Sequence, residues 1–570
     1  MKLAVVWFKR DLRLSDHAPL TQAVQWAQSV GATVLGAYLL EPSQLAHRDM
    51  ARQHLGFALE TWVSLSNEAG ALGLPCSVLH GEAVDVFSRL KSAGTEMRIY
   101  SHEETGHWES FQRDIAVRRW CDTHAVQWIE SPNNAVVRRL SDRDRWSAIW
   151  AQRMQSEPLP VPVFAALPRP SAELMRLLHQ ALDAQWLTHI NMPGIPSSCE
   201  LADSRQLQTL LANCMPDAPA DKLSRQRGGH KLAWDLLHSF ANGRGREYRS
   251  AMSSPITAES ACSRISPHLA IGSISIRQAA HWVWAQRAAG IEDAQWRASL
   301  KSFESRLHWH CHFIQKLESE PQLEWRNAHR LYDGLRNEGE LTPQESERLQ
   351  AWAQARTGVP MIDACMRMLQ TSGWVNFRMR AMLVSFASYH LWLHWTHTAP
   401  VLARHFLDYE PGIHYPQFQM QSGVTGINTI RIYNPVKQAL DQDPDGEFIA
   451  RWIPELAHLP PAHRAAPWLA GADLLGQGLS GDQYPKPIVD VEQAGRDARD
   501  RVWAVRKKPE SRSVAAAVYE KHGSRNPQRE GRPAPAKSAA GKASRGKRKA
   551  SLQGELDFSA PEQMDLFSDE

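Results

Sequence analysis

The chain has 570 residues, of which 43% are hydrophobic and 22% are charged, and its formal net charge is +4. This length allows two or three domains, and the nearly neutral charge does not by itself indicate a nucleic-acid-binding protein. The seven cysteines are scattered without a CxxC pair, which predicts a reduced, cytoplasmic protein without disulfides. No run approaches the ~20 apolar residues of a membrane span, and the apolar run ending at Phe8 is too short for a signal peptide.

Short apolar runs alternate with amphipathic stretches over residues 1–131. The apolar runs predict strands at 3–8, 33–40, 76–81, 97–102 and 126–131. Helices are predicted between them at 49–69, 84–93 and 108–122. This alternation predicts an α/β domain with a Rossmann-like parallel sheet and helices on both faces. The dinucleotide fingerprint GxGxxG is missing from residues 1–131.

The rest of the chain divides into a connector, a helical region and a tail. Residues 132–210 are rich in proline and predict an inter-domain connector, and residues 211–507 predict an all-α domain that holds a cofactor between helices. Its clearest helical segments are 233–240, 276–288, 296–317, 360–370, 376–395 and 447–456. Residues 508–570 predict a disordered tail, because 521–550 carry ten Lys/Arg and one acid, whereas 551–570 carry six acids. The basic half is suited to loose phosphate binding or serves only as a solubilising linker.

Polar groups interrupt the apolar stretch 356–390. Asn376 and Arg380 stand among large apolar residues there, and buried cations are costly unless they are paired. The stretch therefore predicts contact with an anionic or polar aromatic ligand, or with carboxylates from another segment. Such carboxylates follow at Asp408 and Glu410. The alternative is a helical core with one internal ion pair.

Four motifs occur in order along the chain, at 5–20, 262–269, 356–382 and 431–435. They read VVWFKRDLRLSDHAPL, CSRISPHL, RTGVPMIDACMRMLQTSGWVNFRMRAM and RIYNP. Together they resemble the motifs of the DNA photolyase/cryptochrome family, and the resemblance runs from about residue 1 to about residue 505. It implies an antenna-type domain at 1–131, with an antenna chromophore of unknown identity, and an all-α FAD-binding domain. The family branch with an iron–sulfur cluster is disfavoured, because no cysteine follows Cys365.

The resemblance implies FAD contacts on two sides of the cofactor. On the phosphate side the contacts are Tyr248, Cys262, Ser263, Arg264, Ile265 and Ser266. Ser263 and Ser266 are suited to cap a helix and donate to phosphate, whereas Cys262 replaces the usual Thr. On the ring side the contacts are Trp374, Asn376, Arg380, Asp408, Glu410 and His414.

Charge is expected to act on the flavin ring. The resemblance implies an Arg380–Asp408 ion pair beside the ring, with Glu410 in place of a second Asp, and a nearby Arg stabilises negative charge on the ring. His414 stands where the family often has an Asn facing flavin N5, and a His there would titrate near neutrality. The alternative for His414 is a solvent-facing loop.

The family carries electrons to its flavin through three tryptophans. Trp395 matches the middle member, but the flavin-proximal member aligns with Phe418. Candidate substitutes are Trp392 and Trp374, and candidate outer members are Trp325 and Trp352. Because Phe is far harder to oxidise than Trp, we expect slow photoreduction or a different route.

The lesion pocket of the family is only partly kept. Trp309 remains and is suited to stack on an extruded base, but Arg306 replaces the usual Glu, Asn376-Phe377 replaces His-Asn, and Met420 replaces a second Trp. These changes are compatible with a divergent photolyase, a (6-4) photolyase or a light sensor. The candidate catalytic residues are Trp309, Trp392, Trp395, His414 and Asn376.

A histidine-rich turn raises a metal alternative. His308 and His312 are spaced i and i+4, which suits two ligands on one helix face, but no third ligand follows at a matching spacing. A helix that lines a DNA or flavin cleft explains these residues better, so we predict no metal site.

The acidic end of the tail contains a short peptide motif. Gln563–Phe567 reads QMDLF and resembles the Q-[LM]-x-L-F peptide by which bacterial proteins dock on the replication sliding clamp, and Gln553–Phe558 is a weaker second copy. A flexible tail with such a peptide would tether the protein to the clamp. The alternative is a chance match.

The sequence therefore predicts a monomeric, cytoplasmic, nucleoid-associated bacterial photolyase that acts on UV-damaged DNA. As the resemblance implies, blue light excites reduced FAD, an electron passes to a pyrimidine lesion, the lesion splits, and the electron returns. A cryptochrome-like blue-light receptor is the main alternative. The altered pocket favours the receptor, whereas the basic tail and the clamp-like peptide favour repair. A light-independent flavin oxidoreductase is disfavoured because the predicted α/β domain has no nicotinamide fingerprint.

Overall fold

The N-terminal part of the chain folds around one parallel sheet. The computed structural model describes residues 2–91, 95–169, 205–470 and 484–524. Its sheet has five strands in the order β3-β2-β1-β4-β5. They are β1 Lys2–Phe8, β2 Thr33–Leu40, β3 Cys76–His80, β4 Glu96–His102 and β5 Gln127–Ser131. The predicted α/β class is confirmed, and each strand end lies within one residue of its predicted position.

The central strand β1 is buried on both faces. Ala4, Val6 and Phe8 enter one apolar cluster, and the alternate residues Leu3, Val5 and Trp7 enter another. A strand covered on both sides has a continuous apolar sequence, which explains the run LAVVWF. The helices of this domain are α1 Ala18–Val30, α2 Pro42–Leu45, α3 Arg52–Ala71, α4 Ala83–Lys91 and α5 Trp108–Thr123. Helices α1 and α3 contribute to the first cluster, and α4 and α5 to the second.

The rest of the described chain is helical, as predicted. The helices are α6 Trp146–Gln155, α7 Arg205–Cys214, α8 His230–Ser239, α9 Tyr248–Ala251, α10 Thr257–Ala261, α11 Ser266–Ile271, α12 Ile276–Ala288, α13 Ala294–Ser319, α14 Pro343–Ala353, α15 Pro360–Ser372, α16 Phe377–Ser385, α17 Trp395–His405, α18 Pro411–Gln421, α19 Pro435–Gln442, α20 Glu447–Trp452, α21 Pro461–Arg464, α22 Val491–Arg506 and α23 Ser511–His522. Helices α13 and α18 approach so closely that a Cβ on Gly412 would lie 2.7 Å from the Cα of Ile314. None of these helices, within the ranges that the structure describes, is long and apolar enough to cross a membrane.

The single helix predicted over 376–395 is wrong. Helix α16 ends at Ser385, a π-helical turn follows at Phe386–His390, and α17 begins only at Trp395. Between them Trp392 adopts a left-handed backbone conformation with φ of 57°. The segment contains no Gly or Pro, and its leucines are buried like those of a helix, so its sequence carried no stop signal.

Two predicted domain boundaries need correction. Helix α7 crosses the boundary placed between 210 and 211, because Leu207, Leu210 and Leu211 are buried in the same cluster as α3 of the N-terminal domain. Part of the predicted disordered tail is also ordered. Helix α23 buries Val518, and His522 Nε2 lies 2.6 Å from a carboxylate oxygen of Glu320. Residues 525–570 lie outside the described residues.

Buried ion pairs join α3 to the segment before α8. The Arg225 guanidinium donates two hydrogen bonds to Glu60, at 3.0 and 2.7 Å, and two to Asp221, at 2.6 and 2.8 Å. Glu60 also accepts the Gly228 N–H at 2.7 Å. Both the Arg225 and the Glu60 side chains are fully buried, so neither charge has water as an alternative partner.

Replacement of Glu60 by Ala should destabilise the chain strongly. Arg225 loses one buried carboxylate and Gly228 loses its acceptor, so we expect the free energy of unfolding to fall by roughly 3–5 kcal/mol. Urea denaturation followed by far-UV circular dichroism measures the change. The control is Glu492→Ala, which removes an exposed pair with Arg496 and should leave the transition in place. A Glu60→Ala protein within about 1 kcal/mol of wild type would contradict the assignment.

Candidate functional site

The Arg380 cation of the apolar stretch is partly buried, with 24% of its side chain exposed, and it has a carboxylate partner. Arg380, one turn into α16, donates from Nη2 to Asp408 Oδ2 at 2.8 Å and from Nε to the Val375 carbonyl at 2.9 Å. Its guanidinium lies 4.1 Å from the ring centre of Phe406. Burial raises the pKa of Asp408, but the charge and hydrogen bond of Arg380 outweigh burial and hold this pKa below its ordinary value. The pair is therefore ionic at neutral pH.

More guanidiniums surround this pair. The Arg264 guanidinium lies 3.9 Å from the ring centre of the buried Trp374, and burial lowers the pKa of Arg264 to about 10. The positive residues that act on the neighbouring Cys262 thiol are Arg264, Arg244, Arg306 and Arg380. Burial nevertheless raises the pKa of Cys262 to about 11, so its thiol stays protonated. The site carries more positive charge than Asp408 alone balances, and it is suited to an anionic ligand.

The expectation that Ser263 and Ser266 are helix N-caps is wrong. The N-cap of α11 is Ile265, without a capping side chain, and Ser266 is the first residue of the helix. The Ser266 side chain hydrogen-bonds to Asp408 instead and helps to lower the pKa of that carboxyl group. The Ser263 carbonyl accepts a hydrogen bond from Arg244 Nη2 at 3.4 Å.

Asn376 and Tyr248 lie on the side of the site near Met252. Asn376 Nδ2 donates to the carbonyls of Met252 and Ser253 at 3.1 and 2.7 Å. Tyr248 is buried against Phe240, with 5.6 Å between ring centres, and its phenol hydrogen-bonds with Arg306. Residues from α9, α13 and α16 therefore converge on one region.

Glu410 contacts the N-terminal domain. Arg10 Nη2 donates to Glu410 Oε2 at 2.6 Å and to the Tyr409 carbonyl at 3.2 Å. Burial raises the pKa of Glu410, and the charge of Arg10 offsets only part of that effect. Glu410 thus links the two domains two residues after Asp408.

His414 is a buried residue of α18 and not part of an exposed loop. Its Nε2–H donates to the Ala399 carbonyl at 3.0 Å. Burial lowers the pKa of His414 to about 4, so the expectation that it titrates near neutrality is wrong. The imidazole is neutral at pH 7 because the apolar surroundings, which include Phe418 at 4.6 Å between ring centres, disfavour the charged form.

The candidate electron-transfer residues have different surroundings. Trp395 is fully buried, donates from Nε1 to Asn327 Oδ1 at 2.7 Å, and lies 6.0 Å from the Tyr415 ring. Trp392 lies between the guanidiniums of Arg336 and Arg501, at 4.6 and 4.8 Å from its ring centre. Two positive charges oppose the formation of a radical cation on that ring, so Trp392 is a poor substitute for the residue replaced by Phe418.

The two candidates for the outer tryptophan of the electron-transfer chain differ in exposure. Trp352 is fully buried, whereas Trp325 is 40% exposed and packs against Trp108 with 5.9 Å between ring centres.

Trp309 packs against residues of its own helix. Its ring lies 4.8 Å from His312 and 5.6 Å from Phe313 between centres. On one side it lines a cleft of about 10 Å³ with Arg143, Trp146, Ser147, His308, His312 and Ser524, which is room for about one water. His308 and His312 contact the edge of Trp146 there.

Other parts of the described chain bring possible metal ligands together. These groups are Asp11, His17 and His102, and His47, His107 and Glu109. The sequence reading did not identify them, nor the contact of Asp49 with Tyr409 and Tyr415. Each group includes a residue that is distant in sequence, such as His102, His47 or Asp49, so no local motif signals the whole arrangement.

Comparisons with known proteins identify the family. A family model described as the FAD binding domain of DNA photolyase matches residues 303–504, and a second, described as DNA photolyase, matches residues 4–142. The chain belongs to the DNA photolyase/cryptochrome family. The cryptochrome DASH of Gloeobacter violaceus is 26% identical over 86% of this chain and 94% of its own length. The deoxyribodipyrimidine photo-lyase of Vibrio cholerae is 25% identical over 86% of this chain and 97% of its own length.

A solved structure of the family shows the same fold. The bacterial class III photolyase from Agrobacterium tumefaciens matches with a TM-score of 0.67 and 22% identity over 89% of this chain and 98% of that chain. The predicted recognition of the family and of its two-part fold is thereby confirmed.

The residues of the site fit FAD, the cofactor of the matched family domain. Several of its buried polar atoms have no hydrogen-bond partner among the described residues: Asp408 Oδ1, Asn376 Oδ1 and Arg264 Nε. Buried polar groups are rarely left unsatisfied, and a flavin ring edge and a diphosphate supply both donors and acceptors. The surplus of guanidiniums suits the diphosphate, and Trp374 offers an apolar surface.

Asp408→Asn tests whether this ion pair supports FAD binding. The variant leaves the Arg380 guanidinium without an anionic partner and free to turn away from the site, so we expect FAD affinity to fall by at least roughly tenfold, or 1.4 kcal/mol. Titration of the apoprotein with FAD, followed by flavin fluorescence, gives the dissociation constant.

The matched control is Glu455→Gln, which alters another arginine–carboxylate pair of the helical domain, with Arg367 at 2.8 Å. It should bind FAD as wild type does. Equal FAD affinity in Asp408→Asn and wild type, with both folded by circular dichroism, would exclude Asp408 from the site.

Proposed function

We propose that this protein repairs UV-induced pyrimidine lesions in DNA by light-driven electron transfer from reduced FAD. The observation that carries the proposal is the arginine-rich buried site around the Arg380–Asp408 pair, in a chain matched by the family's FAD-binding domain. Bound FAD supplies a blue-light-absorbing group that gives one electron to the lesion and takes it back.

The residues of the site have separate roles in this proposal. Arg380, oriented by Asp408, stabilises negative charge on the reduced ring. Arg264 and the residues of 262–266 hold the diphosphate, and Trp374 packs against the cofactor. Neutral His414, whose Nε2–H donates to the Ala399 carbonyl, leaves Nδ1 as an acceptor and adds no further positive charge to the site. Asn376 and Tyr248 contribute polar atoms on the side of the site near Met252.

Trp309 is the residue proposed to stack on an extruded lesion base. The cleft beside it, about 10 Å³ in volume, is too small for a base, so a segment that lines it, such as 143–147, has to move if the base enters on that side. Arg306 stands where the family has a carboxylate, and Phe377 is 45% exposed. These departures favour the second candidate function, a cryptochrome-like blue-light receptor without repair activity. They are also compatible with a (6-4) photolyase.

Two further parts of the proposal are supported by the sequence and family resemblance alone. The N-terminal sheet is proposed to hold an antenna chromophore, since ligands of open parallel sheets bind at the carboxyl ends of the strands. The tail is proposed to hold DNA phosphates and to dock on the sliding clamp through Gln563–Phe567. That peptide lies outside the described residues, so the clamp contact stays a prediction.

Illumination of the reduced, FAD-loaded protein with defined oligonucleotides tests the proposed repair. One oligonucleotide carries a cyclobutane dimer and another a (6-4) photoproduct, and chromatography measures the restored bases. We expect restoration of at least one lesion in blue light and none in the dark. Trp309→Ala should weaken lesion binding roughly tenfold, because base stacking contributes ~1–3 kcal/mol.

The control for this variant is Trp503→Ala, at a tryptophan that is 46% exposed on α22, which should bind lesions as wild type does. Absence of repair of both lesions in a protein with normal bound FAD would reject the enzyme and favour the receptor.

A further inference from the structure

A buried carboxylate joins two tyrosines beside the site. Asp49 follows α2 in the N-terminal domain, and its Oδ2 accepts hydrogen bonds from the phenols of Tyr409, at 2.5 Å, and Tyr415, at 2.6 Å. Asp49 is fully buried, and Tyr415 is buried as well. Two neutral donors on one carboxylate oxygen form a short, dry hydrogen-bond network across the domain interface.

The carboxylate of this network is ionised at neutral pH. Burial raises the pKa of Asp49, but the His47 charge and the two phenol hydrogen bonds lower it below its ordinary value. Asp49 Oδ2 is placed to receive a proton from either phenol, at 2.5 Å from Tyr409 and 2.6 Å from Tyr415. Burial and the negative Asp49 raise the pKa of both phenols well above the ordinary value. The resting state is therefore two phenols and one carboxylate.

The tyrosines lie close to the residues assigned to the flavin. The ring of Tyr409 is 5.2 Å from that of His414, and the ring of Tyr415 is 5.5 Å from it. Tyr415 is also 6.0 Å from Trp395. Arg48 Nη2 donates to the Tyr415 hydroxyl at 3.4 Å. The two phenols thus sit next to His414, where Phe418 interrupts the tryptophan route.

A base beside a phenol changes which aromatic ring is oxidised most easily. Loss of an electron turns the phenol into a very strong acid, so its oxidation is favourable only where a base receives the proton. Asp49 is such a base at hydrogen-bond distance. The Trp392 ring, in contrast, faces two guanidiniums, and the Trp395 N–H meets the neutral amide oxygen of Asn327.

We propose that Tyr409 and Tyr415 are the electron donors for photoreduction of the flavin and that Asp49 accepts the phenol proton. In each event one phenol loses an electron to light-excited, oxidised FAD, its O–H bond breaks, and the proton moves to Asp49 Oδ2. The products on this chain are a neutral tyrosyl radical and a protonated Asp49, and FAD has gained one electron. The inference rests on the proposed function, because FAD is the electron acceptor.

Radical detection in the full-length, FAD-loaded chain tests this tyrosine relay, in which Tyr409 and Tyr415 give the electron and Asp49 takes the proton. The oxidised protein is illuminated without DNA, and transient absorption and electron paramagnetic resonance identify the radical. We expect a tyrosyl signal whose hyperfine pattern changes when ring-deuterated tyrosine is incorporated, and whose formation slows in D₂O. The Tyr409→Phe/Tyr415→Phe double variant and Asp49→Asn should each lose this signal, measured per bound FAD.

A third buried tyrosine provides the matched control. Tyr389 is 1% exposed, and its hydroxyl has no hydrogen-bond partner within the described residues. It lacks a carboxylate base, so Tyr389→Phe should keep the full tyrosyl signal. If Asp49→Asn does not fold, the double phenylalanine variant, which retains Asp49, decides the question.

The outcomes separate the relay from the proposed function. A wild-type protein that is photoreduced with tryptophan radicals only, or a tyrosyl signal that survives in the double variant, overturns the relay and leaves FAD binding and repair standing. A wild-type chain that binds no FAD overturns both proposals. A tyrosyl signal lost in the double variant and kept in Tyr389→Phe supports the relay.

Discussion

The Arg380 guanidinium is enclosed by the Phe406 ring, the Val375 carbonyl and the Asp408 carboxylate. The Arg380 side chain keeps 24% of its surface exposed, whereas the Asp408 side chain keeps only 7%, so the carboxylate depends more strongly on this partner than the guanidinium does. The start of α16 at Phe377 places Arg380 one turn inside the helix, and the segment after α17 returns Asp408 to it. This constraint fixes the position of the other polar groups of the site, including Ser266, which reaches Asp408 from α11.

The segment 406–415 connects the site to the N-terminal domain. Asp408 faces Arg380, Tyr409 donates to Asp49, and Glu410 accepts from Arg10. Successive residues of one short segment therefore connect the residues proposed to surround the flavin ring with the domain interface. A shift of either domain would therefore displace Asp408 as well. The close approach of α13 and α18 at Gly412 leaves little room for this segment to adjust.

Much of this arrangement follows from local sequence signals. The strands were predictable because each is a short apolar run bounded by polar residues. A cation in an apolar stretch indicated a ligand or a carboxylate partner, and the resemblance to the family singled out Asp408 as the partner of Arg380. The break at Trp392 was not, because neither Gly nor Pro marks it. The environment of His414 depends on packing against Phe418 and Ala399, which no local pattern encodes. The contacts of Asp49 with Tyr409 and Tyr415 join residues that are 360 and 366 positions apart.

The most direct test of the account is the identity of the chromophore in the purified chain. The account predicts a yellow protein whose absorption spectrum is that of a flavin and which releases FAD, identified by mass spectrometry, in a ratio close to one per chain on unfolding. A colourless chain that cannot be reconstituted with FAD would contradict it, because the guanidinium-rich site around Arg380 and Asp408 would then lack the ligand that explains it.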